Sequence, residues 1–151
     1  DPGVFYGADE VRTACAELGY WRWRFLMDSP ALQRLESPPH TLFQTEVAGR
    51  AMDLTEPPLA RDAALWRQSR DYSACQAMAA VARTADMGVI RYQSVRDPQA
   101  GLCAAVLQPD LFTTAPLVEQ TWRLAVNRER IQWQRESALH SGSFEFAANY
   151  G

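Results

Sequence analysis

The sequence predicts an α+β fold: a mixed, mostly antiparallel sheet core with flanking helices. Three observations carry this. The last third alternates apolar and polar residues, as half-buried strands do. Leu102–Leu107 is an almost wholly apolar run, which reads as a central strand. Two segments, near residues 9–27 and 72–85, carry helical spacing instead. The element order is then strand, helix, strands, helix, strand, strand, hairpin, with no internal repeats. At 151 residues the chain is expected to form one domain over 1–151.

Val4-Phe5-Tyr6 reads as a short strand closed by Gly7. Asp9 is placed to cap a helix running to about Met27, with Glu10 in its first turn. On that helix Val11, Ala14, Cys15, Leu18, Arg22 and Phe25 share one face, expected to be buried. Glu17, Trp21 and Arg24 lie on its flank. Arg22 is a cation among apolar positions, which either snorkels to the edge or points into a site. Pro30 and Pro38-Pro39 bracket a loop. Thr41–Leu54, interrupted by Gly49, reads as one bent strand or two. A short helix is expected over Arg61–Gln68 and a stronger one over Tyr72–Ala85, whose wide, alanine-rich face suits packing on a sheet. Val89–Val95 reads as a strand with Ile90, Tyr92 and Ser94 on one face. A turn over Arg96–Gly101 leads into Leu102–Leu107. Trp122, Leu124 and Val126, followed by Ile131 and Trp133, read as a hairpin around a slightly long loop, with the two tryptophans as cross-strand partners. Phe144 and Phe146 suit an edge strand.

Composition removes several function classes. The net charge of −3 argues against a non-specific nucleic-acid binder. All 15 cations are arginine, which reflects either genome base composition or selection for bidentate phosphate binding. Cys15, Cys75 and Cys103 form no CxxC pair and read as small core residues, not as a disulfide framework or zinc site. His40 and His140 fall in expected loops, and no metal site is expected. No run is long and apolar enough to span a membrane, and no signal peptide is visible, so the cytoplasm is the default location. Neither GxGxxG after a strand nor GxxxxGK[ST] occurs, which leaves Rossmann and P-loop nucleotide binding unsupported.

Few residues could carry chemistry. Glu17 reads either as a solvated helix carboxylate or as a group beside a ribose that stabilises an oxocarbenium ion. Tyr6 reads either as strand-end packing or as a ring for a flat heterocycle. Ser94, where a strand enters a turn, either forms that turn or hydrogen-bonds a ribose or phosphate oxygen. Neither histidine completes a triad with it. Arg96 either pairs with Asp97 in the turn or faces a phosphate; Arg22, Arg24 and Arg91 are weaker phosphate candidates.

Three segments in fixed order give these residues a common meaning: Val4-Phe5-Tyr6-Gly7-Ala8, Thr13-Ala14-Cys15-Ala16-Glu17, and Arg91-Tyr92-Gln93-Ser94-Val95-Arg96-Asp97-Pro98. With Arg70-Asp71-Tyr72-Ser73-Ala74-Cys75-Gln76 they resemble the RES family, toxins of bacterial toxin–antitoxin pairs that attack NAD, over roughly residues 1–126. The resemblance implies a core like the diphtheria-toxin class of ADP-ribosyltransferases, with NAD as substrate and no metal. It implies catalytic and NAD-binding roles for Tyr6 (stacking nicotinamide), Glu17 (binding the ribose and stabilising the cation) and Ser94 (contacting NAD); Arg96 and Arg24 join the expected binding residues as the phosphate candidates read from the sequence itself. It also implies phosphorolysis, hydrolysis or ADP-ribosyl transfer, with inorganic phosphate as one acceptor. The implied partner is a DNA-binding, Xre-type antitoxin that blocks the pocket in a hetero-oligomer, with no direct binding of nucleic acid or membrane by the toxin itself. The family arginine should lie about ten residues before the tyrosine. The sequence starts five residues before Tyr6, so an N-terminal segment is expected to be missing or the arginine lost. Two alternatives stay open: a protein ADP-ribosyltransferase using the same pocket, and a non-catalytic partner-binding module.

Overall fold

A computed structural model describes residues 3–68 and 73–150. Its strands are β1 (Phe5–Ala8), β2 (Arg34–Glu36), β3 (His40–Gln44), β4 (Ala51–Asp53), β5 (Val89–Gln93), β6 (Leu102–Val106), β7 (Leu117–Asn127), β8 (Arg130–Glu136) and β9 (Ser143–Ala147). Its helices are α1 (Val11–Met27), α2 (Ala63–Trp66) and α3 (Ser73–Thr84). The fold is therefore α+β with mixed and antiparallel sheets. The chain divides into two compact units, Asp1–Ala14 with Thr45–Ala115, and Cys15–Gln44 with Pro116–Gly151.

The first unit holds a four-stranded sheet in the order β1-β6-β5-β4. Only β4 and β5 are parallel; the other pairs are antiparallel. The apolar run at Leu102–Val106 occupies an interior position, as a strand with no polar face must. Ile90 on β5, Ala105 on β6, Leu54, Leu107 and Ala82 of α3 form the core of this unit, with Met78 and Ala79 packed against it. The buried face of α3 is narrower than its sequence suggests, since Val81 remains 55% exposed. Tyr72, the expected helix start, and Arg70 and Asp71 lie outside the described residues.

The second unit holds the order β2-β7-β8-β9, with β3 also paired to β7. The expected β7–β8 hairpin is present, but its loop is only Arg128-Glu129. Asn127 explains the tight closure: its Oδ1 accepts the N–H groups of Glu129 and Arg130 at 2.9 and 2.8 Å. The two tryptophans are not cross-strand partners. Trp133 opposes Leu124 and Trp122 opposes Arg135, because 122 and 133 are not equidistant from a turn centred between 128 and 129. Trp122 instead stacks on Phe144, at 5.4 Å between centroids and 15° between planes. Phe144 and Phe146 lie on edge strand β9, as the sequence suggests. Residues 34–36, expected as loop, form β2, where Leu35 opposes Val126 of β7. Thr41–Leu54 resolves into two strands, β3 and β4, that join different sheets. His40, expected in a loop, opens β3.

Helix α1 departs most from expectation. Only part of the expected buried face is covered: Cys15 is buried and Val11 and Ala14 are half-buried, but Leu18 is 38% and Phe25 55% exposed, and Arg22 is exposed. The covered positions are Thr13, Cys15, Ala16, Tyr20, Trp23 and Leu26. The reason lies in polar tips that the apolar pattern hides. The Trp23 indole donates to the Arg128 carbonyl at 3.0 Å, and the Trp133 indole donates to the Cys15 carbonyl at 2.9 Å. Gly19 completes the fit, since a Cβ there would stand 2.6 Å from Ile131 Cγ2 on β8. A helix backbone approaches a strand this closely only through glycine.

Candidate functional site

Strands β1 and β5 both run antiparallel to β6, with Tyr6 and Ile90 each opposite Ala105, and Ala8 and Tyr92 each opposite Cys103. Their C-terminal ends therefore emerge at one sheet edge, on either side of the start of β6. Backbone bonds close this edge, Asp9 N–H to the Leu102 carbonyl at 3.0 Å and Ser94 N–H to the Gly101 carbonyl at 2.8 Å. Asp9 does not cap α1. The Glu10 carbonyl accepts the Ala14 N–H, so the helix starts one residue later than expected. The Asp9 carboxylate is held by Arg91 in a bidentate pair at 2.7 and 2.8 Å. That hydrogen bond is the main reason the Arg91 guanidinium binds its proton more tightly than usual. It also commits the Arg91 charge to a carboxylate, which weakens its candidacy for phosphate.

The turn after β5 is organised by a buried acid. The side chain of Asp97 is 1% exposed. Its Oδ1 accepts from Arg12 Nε at 3.0 Å and from the Gln99 N–H at 3.0 Å; its Oδ2 accepts from the Thr13 hydroxyl at 2.8 Å. Burial pushes the carboxyl upward, but the bonds from Gln99, Thr13 and Arg12 together outweigh it and hold the group below its ordinary value. The carboxylate is thus tied to α1 rather than simply to its neighbour Arg96, as the sequence suggests. Gly101 makes room for this: a Cβ there would fall on the Thr13 hydroxyl and stand 3.0 Å from Asp97 Oδ2.

Ser94 is 4% exposed and sits one residue beyond β5. Its Oγ accepts the N–H groups of Arg96 at 3.1 Å and Asp97 at 3.0 Å, so the hydroxyl oxygen closes the turn. Arg96 is itself 5% exposed. Tyr6 shares a sheet face with Ile90 and Ala105 yet is 66% exposed, which leaves its ring open for stacking. Tyr6, Ser94 and Arg96 therefore belong to the first unit. Glu17 and Arg24 lie further along α1, in the second. Glu17 is partly exposed. Arg24 is exposed and pairs with Asp28 at 3.3 Å, one turn on. Arg22 is a surface cation.

Arg12, Thr13, Asp97 and Gly101 do not stand out from sequence as a group. The 84-residue separation of Thr13 and Asp97 leaves no spacing to read. The only local hint is a threonine beside an arginine in the first turn of a helix.

Among the described residues no helix is long and apolar enough to cross a membrane. A family model, the RES domain, matches residues 1–127. The match covers both sheet edges of the first unit, all of α1 and all of β7. No curated protein matches the chain.

Proposed function

Since the chain belongs to the RES domain family, we propose that it is a toxin-type enzyme that cleaves the nicotinamide–ribose bond of NAD. The observation that carries this reading is the family match, which spans Tyr6, Glu17 and Ser94 in one stretch. In this reading the reaction is phosphorolysis. A phosphate oxygen attacks the ribose carbon as the bond to nicotinamide breaks, and the bonding pair leaves with nicotinamide and neutralises its ring. Positive charge develops on the ribose between the two events, so a nearby carboxylate lowers the barrier. Glu17 takes that role. The exposed ring of Tyr6 supports stacking on nicotinamide. Ser94 contributes through the turn whose backbone it holds, and through contact with NAD; Arg96 and Arg24 are the additional binding residues of this reading. The core resembles the ADP-ribosyltransferase class on the same proposal, the site of action is the cytoplasm, and a DNA-binding antitoxin neutralises the enzyme.

Nicotinamide release from NAD, followed with and without inorganic phosphate, tests the proposal. We expect phosphate-dependent release that falls at least about 100-fold in Glu17→Ala, the loss typical of removing one electrostatic stabiliser, with unchanged circular dichroism. Equal release by the variant would remove Glu17 from the chemistry. Release independent of phosphate would replace phosphorolysis with hydrolysis or ADP-ribosyl transfer.

A further inference from the structure

Among the described residues, the buried polar or charged ones are Thr13, Ser94, Arg96 and Asp97, and all four belong to one network. The Asp97 carboxylate accepts from the Thr13 hydroxyl and from Arg12 Nε on the first turn of α1. The N–H groups of Arg96 and Asp97 close on Ser94 Oγ. Every member lies in the first unit. Taking a charge out of water is costly, and an apolar cluster of the same size commonly gives a fold equal or greater stability. Stability alone therefore does not account for a buried carboxylate here.

The connection that carries Asp97 points the same way. Strands β5 and β6 are antiparallel neighbours, and about two to five residues suffice to join such a pair. This chain uses eight, residues 94–101. Among them, Ala100 sits at φ of 55°, in the left-handed region, and Gly101 has no room for a Cβ beside Thr13. Length, strain and a desolvated charge are tolerated where they fix the position of a group that acts on a ligand. Ser94 and Arg96, which the proposed function places in contact with NAD, are the groups fixed here. Asp97 cannot touch the substrate itself: its side chain is 1% exposed and both oxygens are engaged by donors.

We propose that Asp97 is a positioning residue for NAD: it clamps the 94–101 connection to the first turn of α1, so that Ser94 and Arg96 meet the dinucleotide in one fixed arrangement. The inference rests on the proposed NAD cleavage. The clamp acts on binding and not on bond breaking, because Ser94 and Arg96 meet NAD before the bond to nicotinamide weakens. Without the clamp the connection spends only a fraction of its time in the competent arrangement, and the apparent affinity falls by that fraction.

Steady-state nicotinamide release tests it, with KM for NAD and kcat measured for the parent, Thr13→Val, Thr13→Ser and Leu107→Ala, each well below its unfolding midpoint. Thr13→Val keeps the branched shape and removes the hydroxyl that Asp97 Oδ2 accepts. It is a milder change than Asp97→Ala, which strips the acceptor from three donors at once. Thr13→Ser keeps the hydroxyl. Leu107 lies in the core of the same unit, just past the end of β6 remote from the connection, so its truncation lowers stability without touching the network. We expect Thr13→Val to raise KM at least about 5-fold with kcat nearly unchanged, the signature of lost ground-state binding. Thr13→Ser should stay close to the parent, and Leu107→Ala should leave KM where it was. An unchanged KM in Thr13→Val, a KM raised as much by Thr13→Ser, or one raised as much by Leu107→Ala would each overturn the proposal and leave NAD cleavage intact. A parent chain that releases no nicotinamide would instead remove the proposed function, and the role of the clamp with it.

Discussion

The turn after β5 is held by a buried carboxylate, whereas the β7–β8 hairpin is held by tryptophans. Both tie down a part of α1. Asp97 grips Arg12 and Thr13 at the start of the helix, while Trp133 packs in the second unit and donates to the Cys15 carbonyl. Both need a glycine where backbone or side chain comes too close for a Cβ, Gly101 in one case and Gly19 in the other. They differ in how they fail. Truncating an apolar side chain leaves a gap, and the cost scales with the atoms removed. Removing one partner from a buried charge network leaves the others desolvated and unsatisfied.

That contrast makes the largest expected effect a matched pair of substitutions. Asp97→Ala strips the acceptor from Thr13, Arg12 and the Gln99 N–H at once. Thr13 is 0% exposed and has no water to turn to, so we expect a loss of about 3 kcal/mol or more. Trp133→Phe removes the indole donor to a carbonyl on a helix together with three ring atoms, and leaves a small gap but no buried charge. We expect about 1 to 2 kcal/mol. Denaturant unfolding of the two variants under one set of conditions checks the order. Equal losses would mean that the Asp97 network contributes no more than ordinary packing.

Acid sharpens the comparison, because each region holds one group whose proton affinity is lowered. His40 is held below 6.5 by burial and then by the charge of Arg22, against a smaller opposing bond to the Pro38 backbone. Its Nδ1 is buried without a hydrogen-bond partner, and its ring meets Trp133 at 5.2 Å. A base lowered in the fold is protonated first in the unfolded chain. Stability is therefore intact above 6.5 and declines as pH falls from there toward the folded value. Asp97 is an acid held below 3.8. Its contribution is complete above 3.8 and is lost as pH falls further, through the folded value. Unfolding midpoints between about pH 7 and about pH 3 should thus fall in two steps. His40→Phe should flatten the milder step, and Asp97→Asn the more acidic one. A milder step that survives His40→Phe would assign it to another group.

The same contrast explains what the sequence could and could not reveal. Alternation along residues 122–133 made the hairpin legible, since strand pairing over a short loop is local. The pairing of the two tryptophans failed, because 122 and 133 are not equidistant from the turn centre between 128 and 129. On α1 the periodic pattern was real and caught Cys15, but beyond it pointed to the wrong side. Apolar counting favoured Leu18 and Phe25, while the buried face is chosen by Gly19, Trp23 and Thr13, which make specific contacts that hydrophobicity does not score. Residues 34–36 were missed because Arg34-Leu35-Glu36 gives one apolar residue and no alternation to see. The candidate site was legible only as motif: Tyr6, Glu17 and Ser94 stood out by resemblance, not by chemistry visible in the chain. Asp97 looked like half of a turn ion pair because its true partners lie more than eighty residues away.

The smallest expected effect concerns the backbone beneath Asp97. Ala100 adopts φ of 55°, in the left-handed region. Its N–H donates to the Asp97 carbonyl at 2.8 Å, so the turn itself fixes that conformation. An L-residue with a Cβ is disfavoured there by roughly 1 to 2 kcal/mol, and glycine is not. Glycine also has more freedom to lose from the unfolded chain, by about 0.4 to 1 kcal/mol. The two terms oppose each other, and the strain is the larger. Ala100→Gly should therefore stabilise the protein by about 0.5 kcal/mol, with the Asp97 network unchanged. Chemical denaturation measures the shift, and combining the change with Asp97→Ala gives its meaning. If the network imposes the left-handed turn, the glycine gain should shrink once Asp97 is gone, because the released loop can relax Ala100 by itself. An undiminished gain in the double variant would show that the strain belongs to the β5–β6 connection and not to the carboxylate that sits in it.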